Sequence, residues 1–498
     1  MKTLFKGGYV LTLDKEDRRL PVGDVLVENN KIVAVGRDLP SEGAKVVDCA
    51  GHLVMPGLTN SHLHSDENLF RGLFDNLPLE IWMLYSCPAL DYGPFSERLI
   101  YLRTMLGAIE MVKEGVTSVQ DDVSECPEGT VAGYNQVFHA YEDIGLRANV
   151  AMNQPTRTYC DKLPFVRELI PAEIQKEFGP ATDGSANLRL YEEIISQWNG
   201  RSNLKVVVST SAPQRCSDEY LKKAYAMAER YDLPFHTHIL ETKTQRVTGY
   251  EFYGKTIIAH VKDLGLLTPR STIIHSVWVD DADIAMMGEA GVNVAHNPVS
   301  NLKLGSGIMP FRKLWDAGVN IVLGTDGVSS NDGQSILEGM KFEALLHKVT
   351  HPDYHKWPTA DEVLKTATAN AARSLRREDE IGSLEAGKRA DIVVMDMSTP
   401  AFTPLNDVKN HLVYCENGSS VRQVWVDGRL IVEDGKVLTV DEEKLLSELR
   451  DLMPEFKERF EHSVEVNNRL FAPLEEMYWR CMNSDVKLNR FSDEYPVK

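Results

Sequence analysis

Short apolar runs alternate with longer amphipathic stretches through the middle of this chain. Leu53-Val54-Met55 leads into Pro56-Gly57-Leu58-Thr59-Asn60-Ser61-His62-Leu63-His64 and reads as a buried strand with two histidines at its end. Further strand-like runs follow at Gly115–Gln120, Leu146–Ala151, Leu204–Thr210, Leu233–His238, Thr272–His275, Val292–His296 and Val319–Asp326. Helix-like stretches separate them, among them Phe95 to Lys113, a run to about Ile144 and one around 217–231. Near-continuous apolar strands of this kind predict a parallel sheet buried on both faces. Eight strand–helix units in about 330 residues predict an α/β fold, a (β/α)8 TIM-type barrel. A doubly wound open sheet is the competitor, but no GxGxxG opens a helix here.

Both ends of the chain have a different texture. Tyr9–Leu13, Asp24–Glu28 and Ile32–Val35 are short strands, the last pair joined by the turn Asn29-Asn30-Lys31. The same pattern returns at Ala390–Met395, Val421–Arg429 and Leu430–Val437. We expect residues 1–56 and 386–440 to build one composite β-sandwich domain, with the barrel inserted as residues 57–385. Thr359-Ala360-Asp361-Glu362 is a capping box that predicts a helix through about Leu375. Residues 441–498 read as a helical C-terminal extension. Its aromatics Phe456, Phe460, Phe471, Tyr478 and Trp479 imply packing on the barrel or on another subunit.

Composition changes this picture little but excludes several functions. The 498 residues are 43% hydrophobic and 26% charged, an ordinary globular balance. A net charge of −19 without a basic cluster argues against nucleic acid and anionic membranes as partners. No run of 18 apolar residues is present, and the start lacks the apolar core of a signal peptide. Cys49, Cys87, Cys126, Cys160, Cys216, Cys415 and Cys481 are scattered and form no CxxC, as expected for reduced thiols in a cytoplasmic protein.

The chemistry lies at the strand ends, where a barrel of this type carries its reactive groups. His62 and His64 stand two apart, so on a strand both imidazoles share a face. His238, His275 and Asp326 end later strands in the same way. Neutral imidazoles with one carboxylate suit Zn²⁺, with Fe²⁺ as the alternative, in a catalytic site with an open position. Lys205 begins the fourth strand, at the wrong end to bridge two ions, so one metal is expected. Glu241 follows His238 by three residues, where a carboxylate can take a proton from a metal-activated water and pass it to a leaving nitrogen.

These segments carry a resemblance. Val54-Met55-Pro56-Gly57 with Asn60–His64, His236-Thr237-His238 with Glu241-Thr242, Ala295-His296-Asn297-Pro298, Ser300–Gly307, Leu323–Gly327 and Ile381–Asp391 resemble the ATZ/TRZ branch of the amidohydrolase superfamily. The likeness runs from about residue 5 to 450. It implies one divalent metal held by His62, His64, His238 and Asp326, Glu241 as proton shuttle, and His275 contacting the attacking water or the developing oxyanion. Arg71–Trp82, Ser300–Gly307 and Asn406–Val413 are similar to S-adenosylhomocysteine/methylthioadenosine deaminases. Against that pattern, the run Ser209-Thr210-Ser211-Ala212-Pro213 stands after the fourth strand where a histidine is usual, Met152 stands where an arginine is, and Ser276 and Trp278 follow His275. Asn331-Asp332 and Met340-Lys341-Phe342 are similar to atrazine chlorohydrolase and melamine deaminase.

The expected function is a mononuclear metal-dependent hydrolase. It removes an amino or substituted amino group from a triazine, pyrimidine, purine or pterin by attack of metal-bound hydroxide, with Glu241, His275 and Asp326 as catalytic groups. The alternatives are hydrolysis of a urea, carbamate or carbon–halide bond at the same site, or a deaminase of the S-adenosylhomocysteine/methylthioadenosine kind. A non-catalytic scaffold is disfavoured because every ligand and Glu241 are present. Trp82, Met152, Gln154, Trp278 and Asn297 are the candidates to line the pocket. The partner is a small-molecule substrate, and an assembly of several copies of the chain is expected.

Overall fold

The computed structural model describes residues 2–91, 93–125 and 129–492, so Cys126 lies outside it. Five strands open the chain: β1 (Lys2–Leu11), β2 (Arg19–Glu28), β3 (Lys31–Gly36), β4 (Ala44–Asp48) and β5 (His52–Pro56). Eight follow in the middle: β6 (Leu58–Leu63), β7 (Val116–Val123), β8 (Arg147–Met152), β9 (Leu204–Ser209), β10 (Phe235–Ile239), β11 (Ser271–His275), β12 (Asn293–His296) and β13 (Asn320–Leu323). Four more close the chain: β14 (Ile392–Asp396), β15 (Val421–Val426), β16 (Arg429–Glu433) and β17 (Lys436–Val437).

The middle strands form one parallel sheet in strict chain order, β6 to β13, with helices between them. Helix Glu97–Lys113 and helix Val131–Ile144 pack on each other outside it. Every residue of β6, β7, β8 and β10 is buried, as a sheet covered on both faces demands. The sheet curls so that its last strand meets its first. Asp326 N donates to His62 O at 3.0 Å across that seam, and the Asn60 side chain brackets Thr325, donating to Oγ1 at 2.7 Å and accepting from N at 3.1 Å. The result is a nearly closed eight-stranded barrel.

The two chain ends build one mixed sheet in the order β17-β16-β15-β14-β5-β1-β2-β3, with β4 also on β1. Pairing therefore joins the expected sandwich domain into a single nine-stranded sheet, in which β5 from the start of the chain lies between β1 and β14. The run Leu53–Met55 belongs to this sheet and not, as its apolar pattern implied, to the barrel strand that carries the histidines. Gly57 separates the two strands, and a Cβ at that position would overlap Thr117. An apolar run shows that a strand is buried but not which sheet it joins. The helix expected from Thr359 to Leu375 is also divided, into Ala360–Thr366 and Ala369–Ser374. At the break, Ala367 O is released from the helix and accepts from Thr59 N at 2.9 Å, helping to hold β6 in place.

The C-terminal helices Glu442–Asn467 and Phe471–Asn483 pack on their own barrel. Phe456 and Phe460 meet Phe70 at centroid distances of 5.6 and 5.7 Å. Asn467 holds both backbone groups of Leu90, accepting from N at 3.1 Å and donating to O at 2.7 Å. Tyr85 donates to Asn468 Oδ1 at 2.7 Å. These contacts fix helix Leu79–Ser86 and the segment after it against the barrel mouth. Among the described residues no helix is long and apolar enough to cross a membrane.

Barrel and small sheet are riveted by a buried ion pair. Arg147 Nε and Nη2 donate to Asp391 Oδ2 and Oδ1 at 2.9 and 3.0 Å, and both side chains are almost fully buried. Breaking such a pair from one side leaves an uncompensated charge, a cost of about 3–5 kcal/mol. Arg147→Met is therefore expected to lower the urea-unfolding free energy by about that amount, and Arg147→Met/Asp391→Leu to recover much of it. Equal stability of the two variants would contradict this view of the interface.

Candidate active site

The side chains singled out at the strand ends converge at the carboxyl end of the barrel. His62 sits within β6 and His64 just beyond it, and Asp326 reaches both, with Oδ1 at 3.4 Å from each Nε2. His238, from β10, brings its Nε2 to 3.4 Å from His64 Nε2. His275, the last residue of β11, places Nε2 at 3.4 Å from Glu241 Oε2 and 3.8 Å from Asp326 Oδ2. Ligand atoms of His62, His64 and Asp326 lie within 4.8 Å of one another, as do those of His62, His238 and His275, and all are buried. Several of these positions are bought with backbone strain. Ser211, Leu240, His275 and Asp326 have φ of 56°, 56°, 74° and 65°, in the left-handed region that costs a non-glycine residue about 1–3 kcal/mol. Gly324, just before the carboxylate, is needed because a Cβ there would stand 2.8 Å from His62 O.

The outer ring nitrogens sort the imidazoles into two kinds. His64 Nδ1 faces Asp122 O at 2.6 Å and His238 Nδ1 faces Ser211 O at 2.8 Å. Carbonyls only accept, so both rings carry a proton on Nδ1, which leaves Nε2 as the atom each can offer to a metal. His275 is the opposite. Its Nδ1 is met by the side-chain amides of Asn297 at 3.3 Å and Asn301 at 3.1 Å. With those amides placed to donate, the His275 proton sits on Nε2 and points at the site. Asp326 accepts from Ser300 Oγ at 2.8 Å and from Gly327 N at 2.9 Å.

Electrostatics favour a cation at this point. Burial disfavours a charged His64, yet Glu67, Asp326, Asp66 and Asp122 outweigh it and push its pKa up to about 10. Burial, then the neighbouring His62, His64 and His275, holds His238 well below the usual histidine range. Burial opposes ionisation of Asp326, but the His62 imidazole, with Nε2 3.4 Å from Oδ1, and the surrounding imidazoles hold it well below an ordinary carboxylate. Burial, with Asp326 and Glu80 beside it, pushes Glu241 well above. Among the described residues, neither buried ring nitrogen of His62 has a hydrogen-bond partner. Three imidazoles and a carboxylate with unspent acceptors are a donor set for a divalent metal.

Comparison with known proteins decides the family. The profile of the amidohydrolase family matches residues 53–431. The chain belongs to the amidohydrolase family. It is 36% identical over 459 residues to a 5'-deoxyadenosine deaminase of Methanosarcina acetivorans, covering 92% of this chain and 98% of that one. To a 5-methylthioadenosine/S-adenosylhomocysteine deaminase of Syntrophobacter fumaroxidans it is 34% identical over 454 residues, 90% and 96% of the two chains. Among solved structures, it is similar to atrazine chlorohydrolase TrzN from Arthrobacter aurescens complexed with zinc, with a TM-score of 0.83, 26% identity and coverage of 91% and 100%. It is also similar to an adenosine deaminase from Xanthomonas campestris with bound zinc, with a TM-score of 0.80, 27% identity and coverage of 91% and 98%. This amidohydrolase is thus a hydrolytic enzyme acting on carbon–nitrogen bonds.

A cavity of about 430 Å³ opens onto the amidohydrolase site and is lined at its floor by His64, His238, Glu241, His275 and Asp326. Of the candidate pocket residues, Trp82 and Gln154 line it. The other three are placed elsewhere. Met152 is buried in the core, with its backbone held by the Tyr191 hydroxyl. Trp278 turns inward, donating to Ser306 O at 2.7 Å and packing on Phe491. Asn297 stands behind His275 rather than in the cavity. Several residues went unread in the sequence. Glu80 accepts from Thr242 Oγ1 at 2.6 Å next to Glu241, Glu67 bonds Ser329, and Arg215 enters the cavity from the loop after β9. The pair Asp121-Asp122, ending a wholly buried strand, was a visible signal that was passed over.

Metal analysis of the loaded protein is expected to find one divalent ion per chain. His64→Ala and His238→Ala each remove an Nε2 that faces the site and are expected to hold well below one. Full retention in both would contradict the grouping of these ligands.

Proposed function

We propose that the chain is a mononuclear metal-dependent aminohydrolase that removes an amino group from a nitrogen heterocycle. The observation that carries this is Glu241, a buried carboxyl 3.4 Å from His275 Nε2 and beside the Asp326 cluster, on the floor of the cavity. His62, His64, His238 and Asp326 are the ligands in this reading, and Zn²⁺ suits them, since the set is borderline in softness and two similar structures hold zinc. When bound there, the ion would acidify a water and polarise the group under attack.

The protein's own groups do the proton work. Glu241, as the carboxylate, takes a proton from the attacking water, and the raised pKa that burial gives it suits it to hold that proton and pass it to the leaving nitrogen. Asp326, fixed by Ser300 and Gly327, keeps the water oriented. His275 donates from Nε2 to the charge that develops on the heterocycle, and burial keeps its pKa near 3, so it serves as a neutral donor. Trp82 and Gln154 on the cavity wall hold the ring. Adenine nucleosides modified at the 5' position are included among the substrate classes to be tested, because relatives of that activity are 34–36% identical over at least nine-tenths of this chain.

The test is ammonia release by the metal-loaded protein from 5'-deoxyadenosine, 5'-methylthioadenosine, S-adenosylhomocysteine, and representative triazines, pterins and pyrimidines. Turnover of at least one amino-heterocycle is expected, and chloride or thiol release without ammonia would move the reaction to another bond. Glu241→Gln is expected to keep its metal and lose a factor of about 10²–10⁴ in kcat, the contribution of a positioned acid–base group. Undiminished turnover would remove Glu241 from the mechanism.

A further inference from the structure

Arginines buried in this acidic protein are paired with carboxylates: Arg103 with Glu125, Arg147 with Asp391, and Arg246 with Asp280 and Asp283. Arg215 is not. It sits in the 3-10 turn Pro213–Arg215 after β9, half-buried, and lines the cavity together with Glu241, His238 and His275. Its guanidinium is close enough to the centre to act electrostatically on both Glu241 and His275. Its side-chain partners among the described residues are Ser211 Oγ at 3.3 Å and Met83 Sδ at 3.0 Å. A thioether is a weak acceptor, and a hydroxyl uses one of five N–H donors. Ser211 is also the residue whose carbonyl holds His238, so Arg215 lies one residue's width from a metal-site imidazole.

A second guanidinium stands on the adjoining loop. Arg157 lines the same cavity, donates Nε to Cys216 O at 2.9 Å and lies over the Phe252 ring, again without a carboxylate partner among the described residues. The two loops are tied together, since Thr156 N and Arg157 N both donate to Arg215 O at 3.1 and 3.0 Å. Both guanidinium groups line the cavity, so their remaining N–H donors are within reach of a ligand held there.

We infer that Arg215, backed by Arg157, is a specificity-determining residue that receives a carboxylate carried directly on the substrate's heterocyclic ring. The inference rests on the cavity being the substrate site, as proposed above, and selects carboxylated pyrimidines, pterins or triazines over adenine nucleosides, whose ring carries no carboxylate. A planar guanidinium offers two parallel N–H donors to a carboxylate, and a charge-assisted pair of that kind is worth about ten-fold or more in affinity. The position next to Ser211 and Met83 matches a ring substituent, because the same wall reaches Glu241.

Calorimetry on the metal-loaded protein with orotate and uracil tests this, since the two share a ring and differ by one carboxylate. Orotate is expected to bind the natural protein at least about ten-fold more tightly than uracil. Arg215→Met is expected to abolish the preference while leaving uracil binding and metal content unchanged, and Arg215→Lys to restore part of it. If Arg215→Met fails to fold, Arg215→Gln takes its place. No preference in the natural protein, no detectable orotate binding, or a preference that survives the loss of the guanidinium would each overturn the inference; the last would put the carboxylate on another cation. Ammonia release plays no part in this readout. Deamination without an orotate preference removes the carboxylate site alone, and a preference without any deamination removes the aminohydrolase reading alone.

Discussion

Asp326 is where the closure of the barrel and the chemistry of the site become one constraint. Its backbone N–H crosses the seam to His62 O, while its side chain faces His62, His64 and His275. Its φ of 65° turns the carboxylate inward at the end of the last strand. Gly324 lets that strand pass close to His62, and Asn60 holds Thr325 on the same seam. Were the seam to open, His62 and Asp326 would separate. The barrel is therefore not a neutral platform: its closure sets the distances among these side chains, and charge packed at one end works against the fold unless a cation answers it.

Around that point the protein assigns roles by what stands behind each ring. Carbonyls behind His64 and His238 fix a proton on Nδ1 and leave Nε2 facing the site, whereas amides behind His275 leave a proton facing the cavity. These three similar imidazoles are thus set apart by contacts that no spacing rule records. The wall opposite is helix Leu79–Ser86, held from outside by the C-terminal helices through Asn467 and Asn468. Removal of the extension would loosen the cavity rather than the metal site.

Much of this was legible in the chain itself. Apolar runs ending in histidine or aspartate are visible because a barrel strand is buried until its last residues, and those residues carry the reactive groups. The eight barrel strands and the return of the small domain follow from that texture. Three things were not legible. Leu53–Met55 looks like the start of the histidine strand, since burial alone does not say which sheet a strand joins. Met152, Trp278 and Asn297 stand near strand ends in sequence, but side-chain direction at a turn decides between cavity and core, and those three do not line the cavity. Arg215 lies in an unremarkable loop; its meaning appears only when its missing carboxylate is set beside the cavity it faces.

The most direct measurement is anomalous scattering from a crystal of the zinc-loaded protein. A single ion is expected about 2.0–2.2 Å from Nε2 of His62, His64 and His238 and from a carboxylate oxygen of Asp326, with Glu241 and His275 outside bonding distance. An ion bound by Glu241 or His275 in place of those ligands, two ions, or no ion in the barrel would contradict the organisation of the site around Asp326.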